Sequence, residues 1–311
     1  MINKMPNEKL ANESVPITFI RVLGSPYLRT TALRCVTSIF RHFFFFQWRS
    51  AFLPGPVPVS RADHPLDKKI PFRPGKVNIY LDFVSFWVRT IGFLLRKTGR
   101  RALEPVKNFL LTMGQLYAFA AEVYRKNLST TTRPFYIGSP RFLLIHTVDP
   151  HLMCIPSLHV MVVIRTFTVF REIIKSMGEE DIFTQQEEEL RLGALAITEA
   201  VLYVKQHSVN CIPAALYAMT RFDPRLFPPA EVECFVADLF PEAELIDNSD
   251  VVKIREYILT LYKRFLIQGE AEASHHPGLN SAGSHSIEPH KSENWTKPLL
   301  DFLKELPAGQ K

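Results

Sequence analysis

Only four of the 311 residues are cysteine (Cys35, Cys154, Cys211 and Cys234), and no CxxC occurs. A disulfide scaffold and a zinc ribbon are thereby excluded, and a reducing, cytoplasmic-side location is the default expectation. Glycine is scarce at 13, which argues against a turn-rich β-sandwich. Long hydrophobic runs are missing as well. The longest charge-free apolar stretches, Pro150–Ile164 and Gln206–Thr220, have 15 residues each, whereas one membrane span wants about 20. The first residues, MINKMPNEKLANESVP, carry no apolar core, so secretion through a signal peptide is not expected.

What is present points to helices and a large core. Apolar residues make up 47% and charged residues 22%, with 24 phenylalanines, which excludes global disorder. Mean hydropathy is +0.02, high for a soluble chain and low for a polytopic one. The expectation is an all-α helical bundle, soluble or seated on a membrane. A polytopic protein with charged spans is the alternative, because functional sites in membrane bundles tolerate charge. The net charge of +6 conceals an asymmetry: residues 1–175 carry 25 Lys+Arg against 9 Asp+Glu, and residues 176–311 carry 12 against 22. A front half this basic suits an anionic partner such as phosphate or an anionic membrane surface. No recognised nucleic-acid motif accompanies it, so nucleic acid is not an expected partner.

Along the chain, residues 1–76 read as a basic N-terminal segment followed by a proline-rich linker. Its apolar clusters alternate with single arginines. The cluster His42–Trp48 is apolar on every helical face, which predicts a buried helix, with an interfacial anchor as the alternative. Six prolines in Leu53–Gly75 forbid a long helix there. Apolar spacing predicts helices over 77–96, 103–126, 157–176, 187–220, 229–239 and 250–267, so 77–267 forms the expected helical core. Residues 268–311 read as a low-complexity tail. Its part 268–294, rich in Ser, His, Gly and Glu, is expected to be disordered, and Trp295–Leu306 has the spacing of a short amphipathic helix that docks back or binds a partner.

Three pieces carry chemistry, in chain order. Lys126 and Arg133-Pro134 form KxxxxxxRP, Pro156-Ser157-Leu158-His159 follows, and Lys205-Gln206-His207 closes the set. These residue types suit phosphoryl transfer through a histidine. Two cations neutralise the non-bridging oxygens, a hydroxyl and backbone N–H groups at a helix start add donors, one imidazole attacks phosphorus and a second protonates the leaving oxygen. The scheme requires no cofactor. By default each histidine on an apolar helix is a satisfied core residue; it is the ordered set that points to chemistry.

The set resembles the type 2 phosphatidic acid phosphatase (PAP2) superfamily, whose pattern is KxxxxxxRP, then PSGH, then SRxxxxxHxxxD. The first motif is complete. The second has Leu158 in place of Gly. The third keeps only His207, since Ala200-Val201 stand where the family has Ser-Arg and Cys211 where it has Asp. The resemblance spans Lys126–Cys211. It implies a helical bundle of acid-phosphatase type, His207 as the nucleophile that becomes phosphohistidine, His159 as general acid, and Lys126, Arg133 and Ser157 as phosphate ligands. The implied activity is a metal-independent phosphatase or phosphotransferase acting on a lipid phosphate or small phosphomonoester, in a membrane-associated or integral protein. The departures leave a catalytically degenerate member, acting in membrane-surface or partner binding, as the alternative. A further alternative is a zinc site. Cys154 with His159, and His207 with Cys211, would form a Cys₂His₂ set if each pair lay at i and i+4 of a helix.

Overall fold

The computed structural model describes residues 8–53, 55–241, 246–275 and 294–309. It is 73% helix and 3% strand, so the all-α expectation holds at the level of class. Ser14 caps α1 (Val15–Gly24) by accepting from the Ile17 N–H, and Pro26 opens α2 (Pro26–Ile39). These are the positions where a cap hydroxyl and a proline are tolerated best. A π-helical turn, Phe40–Phe45, joins α2 to α3 (Phe46–Phe52). The proline-rich segment then runs extended. It contributes β1 (Val59–Arg61) and a short 3₁₀ turn, Pro65–Lys69, before α4 (Val77–Leu81) and α5 (Phe83–Thr98).

The remaining elements are α6 (Leu103–Tyr124), β2 (Leu128–Thr130), α7 (Pro140–Val148), α8 (Leu158–Ser176), α9 (Glu180–Tyr203), α10 (Cys211–Phe222), α11 (Pro229–Ala237), α12 (Asn248–His275) and α13 (Lys297–Glu305). Helix α8 is the axis of the bundle. Every residue from Leu158 to Phe170 is buried, as a helix apolar on all sides requires, and α5, α6, α9 and α10 pack around it. Its buried Arg165 is neutralised by Asp223 at 2.6 Å, the pairing that a desolvated guanidinium needs. Residues 15–52 lie against α5 and α6. Helix α2 approaches α6 so closely at Gly114 that a Cβ there would stand 3.2 Å from the Cys35 Cα.

The expected helix over 187–220 is broken. Helix α9 ends at Tyr203, residues 204–210 form a turn with Lys205 at φ +56°, and α10 starts at Cys211. The cause is tertiary. The extended segment reaches across and hydrogen-bonds the turn, as described below. The His42–Trp48 cluster is not a buried helix. Phe44 and Phe45 are 40% and 54% exposed, because the rod rests on the bundle by one side only, with Phe43 and Gln47 pointing inward. Of the expected disordered tail, residues 268–275 belong to α12, and residues 276–293 lie outside the described residues. The amphipathic helix near the C-terminus docks back: Trp295 stacks face to face on Phe119 at 3.7 Å, and Leu299 and Leu303 are buried. Among the described residues, one stretch, Pro74–Tyr124, is long and apolar enough to cross a membrane, and 56% of its window is buried inside the bundle.

Candidate functional site

Strand β2 carries the first motif to the second. It pairs in parallel with β1, and its Ser129 also bridges to the segment before α8, accepting from the Cys154 N–H through its carbonyl and from the Ile155 N–H through its hydroxyl. The buried Tyr124 hydroxyl donates to the Pro156 carbonyl. The turn that leads into α8 is therefore held from two sides. Ser157 is the N-cap of α8, yet its side chain makes no cap bond. It turns instead to His207, with Oγ 3.3 Å from Nε2. The same Nε2 lies 3.4 Å from Nδ1 of His159, on the first turn of α8. All three residues are buried. The unbonded N–H groups at the start of α8 put the positive end of the helix dipole beside them.

The two imidazoles are set differently. The His159 ring is stacked on Tyr80 at 4.5 Å and packed on Phe83 at 4.2 Å. Burial, with neighbouring His207, pushes its pKa well below the usual histidine value. Burial likewise lowers His207, to about 4. Both rings are therefore neutral at pH 7. The Nδ1 of His207 makes no hydrogen bond of ordinary geometry, and the adjacent Cys154 carbonyl is the group that favours the protonated ring. With the proton on Nδ1, the Nε2 lone pair faces Ser157 and His159.

Among the described residues no carboxylate hydrogen-bonds the His207 ring. Glu199 is engaged elsewhere, accepting from the Phe240 N–H. Asp149 lines the same cleft and accepts from the Gln47 side chain at 2.7 Å and the His151 N–H at 2.8 Å. Burial raises its pKa, with those bonds and Arg133 acting in the opposite sense. The residue that fixes the His207 turn is Asp67, which belongs to none of the three sequence motifs. Its carboxylate accepts from the Ser208 hydroxyl at 2.7 Å, the Val209 N–H at 2.8 Å and the His64 N–H at 2.7 Å. The only signal for it was local: His64-Pro65 with Asp67 three positions on has the form of a capping box. Replacing Asp67 by alanine strands a buried hydroxyl and a buried N–H. It is expected to lower stability by about 1–3 kcal/mol and to broaden the His207 ring resonances, measured by denaturant unfolding and NMR.

The cleft is lined by Phe43, Gln47, Asp149, His151, Leu158, His159 and His207, among others, and its free volume is about 10 Å³, room for one water. His151, also buried, meets the Thr131 hydroxyl at 2.7 Å. Arg133 stands at the edge, donating to the Asp149 carbonyl at 3.3 Å and to the Gln206 side chain at 3.5 Å. Lys126 does not join the others. It is exposed and its ammonium reaches Thr296, 3.3 Å away, on the segment before α13. The structure thus brings together Ser157, His159 and His207, sets Arg133 alongside, and leaves Lys126 out of the cleft.

No family model, curated protein or solved structure matches the chain.

The zinc alternative fails on geometry. Among the described residues, no group of three or more His, Cys, Asp or Glu could hold a metal ion. Neither pair sits at i and i+4 of one helix: Cys154 precedes α8 while His159 is inside it, and His207 is in the turn while Cys211 opens α10. The Cys211 sulfur accepts from the Ser208 N–H, and the Cys154 sulfur faces His151. Burial pushes both thiols up.

Proposed function

We propose that the chain is a divergent member of the type 2 phosphatidic acid phosphatase superfamily, and that it transfers a phosphoryl group from a phosphomonoester through His207. The observation that carries this reading is the convergence of Ser157, His159 and His207 within 3.4 Å at the start of a buried helix, from two motifs 48 residues apart. A neutral His207 ring offers its Nε2 lone pair to phosphorus and the bond to the leaving oxygen breaks; the anionic phosphate raises the pKa of the adjacent His159 on binding, so that His159 takes up a proton with the substrate and delivers it to that oxygen. Ser157, the α8 N–H groups and Arg133 hold the non-bridging oxygens. Water or an alcohol then takes the phosphoryl group from His207. The apolar surroundings suit a lipid phosphate presented at a membrane.

The gaps between the motifs fit this reading unevenly. The helix pair α8–α9 separates His159 from His207, as the family's bundle would have it, whereas the short α7 alone separates Arg133 from Ser157. A second reading, a scaffold that keeps the constellation without turnover, draws on the cleft's free volume of about 10 Å³ and on the engagement of Lys126 with Thr296. Turnover requires Phe43 and Gln47 to withdraw from the cleft. The test is incubation with lipid phosphates and a chromogenic phosphomonoester, chelator present. Phosphate release is expected; none from well-folded protein would favour the scaffold.

A further inference from the structure

Between Glu13 and Asp63 the sequence holds six arginines and no lysine, aspartate or glutamate. Arg21, Arg29, Arg34, Arg41 and Arg49 are all exposed on α1, α2, the π turn and α3. Among the described residues none of these five pairs with a carboxylate, while cations elsewhere on the surface do, among them Arg96, Arg101 and Arg171. Arg21 and Arg29 donate only to the backbone carbonyls of Gly92 and Leu23.

The same helices expose large apolar side chains. Thr18 and Val22 of α1, and Leu28, Ala32 and Cys35 of α2, are spent on burial against α5 and α6. Facing outward are Ile20 (73% exposed), Val36 (50%), Phe40 (59%), Phe45 (54%) and Phe52 (70%). At 100° per residue, Leu33 and Val36 fall on one flank of α2, with Phe40 following at the start of the π turn, and Arg34 lies roughly a third of a turn further round. That is the arrangement in which apolar side chains enter a hydrocarbon boundary while guanidinium groups snorkel to the phosphates. Beside this face, between α1, α2, α5 and α6, lies an apolar cavity of about 250 Å³, rimmed by Phe19, Leu23, Leu33 and Val36.

We infer that the outer face of α1–α3 is a docking surface for an anionic lipid bilayer, on which the protein lies without crossing it. The unpaired arginines select anionic headgroups, the exposed Ile and Phe side chains enter the acyl boundary, and the apolar cavity accepts a hydrocarbon chain. The inference is independent of the phosphoryl reading, although it has a consequence for it. Phe43 and Gln47, which close the His207 cleft, belong to the docked rod, so docking sets the cleft at headgroup level.

The full chain is mixed with sedimenting vesicles of phosphatidylcholine alone, or of phosphatidylcholine with phosphatidylglycerol, neither containing a phosphomonoester lipid. Binding is expected to be at least about tenfold tighter on the anionic vesicles and to be eluted by salt. The triple variant Arg34→Glu, Arg41→Glu, Arg49→Glu is expected to lose about 100-fold or more with an unchanged circular dichroism spectrum. Ile20→Ser with Phe45→Ser should weaken the salt-resistant part, and Trp48 fluorescence should shift to the blue on binding in the parent only. Equal, weak sedimentation with both vesicles overturns the inference. So does a homodimer in sedimentation velocity that the Ile20→Ser, Phe45→Ser variant dissolves, since the face would then be covered by a second copy.

Discussion

On the proposed mechanism, replacing His207 by alanine is expected to lower metal-independent phosphate release by about 10⁴-fold or more, because the variant removes the atom that would bond to phosphorus. Replacing His159 is expected to cost less, about 10²–10⁴-fold, the range for a proton donor, and least with a substrate whose leaving group needs no proton, such as a nitrophenyl phosphate. The two variants thus separate by substrate: His207→Ala is inert with every substrate, and His159→Ala regains activity on the activated ester. Steady-state rates on a lipid phosphate and a nitrophenyl phosphate, chelator present, check both statements. The Ser157 hydroxyl, 3.3 Å from the His207 Nε2, gives a third point. Ser157→Ala removes one hydrogen bond to the ring and to phosphate, and should fall between the parent and His159→Ala on the lipid substrate.

The buried histidines also make stability depend on pH. Burial holds the His207 pKa in the fold at about 4, below the ordinary histidine value of about 6.5. A histidine lowered by folding contributes stability that is complete above its unfolded pKa and is lost as pH falls through its folded one, because the unfolded chain binds the proton first. Between about pH 7.5 and about pH 4.5 this single ring accounts for a loss of about 2–3 kcal/mol. His159 and His151, also lowered by burial, act in the same direction. Asp67 and Asp149, whose carboxyls are raised by burial, act in the opposite one. Comparison with His207→Gln isolates the single ring. The stability difference between parent and variant, from urea unfolding, should shift by about 2–3 kcal/mol in favour of the variant as pH falls across that window. A difference that stays constant would mean that the ring is not desolvated as described.

The parts of the fold that follow from local pattern were legible in the sequence. The expected helices over 103–126 and 157–176 match α6 and α8 within a few residues, since their apolar spacing is uninterrupted. Ser157, His159 and His207 could be picked out as a set by residue type and order, and the fold brings their side chains together. What failed depends on contacts between distant segments. The end of α9 at Tyr203 is dictated by Asp67, more than 130 residues earlier, which ties down Ser208 and Val209, and nothing around 204–210 announces it. The exposure of Phe44 and Phe45 could not be read from a cluster apolar on every face, because composition does not say how many neighbours a helix will find. Gln47 and Phe43 enter the cleft from a segment read as separate from the helical core. Lys126 matched a motif by spacing, yet the turn after α6 sends its side chain toward Thr296.

The central claim is that His207 forms a bond to phosphorus. It is tested most directly by mixing the protein with a lipid phosphate labelled in the phosphoryl group, quenching in alkali within the first turnover, and locating the label by peptide mass spectrometry. The account expects an acid-labile, alkali-stable phosphoryl group on His207, absent from His207→Ala and accumulating in His159→Ala with the nitrophenyl ester. Phosphate release with no label on His207, or label carried by another residue, would contradict it.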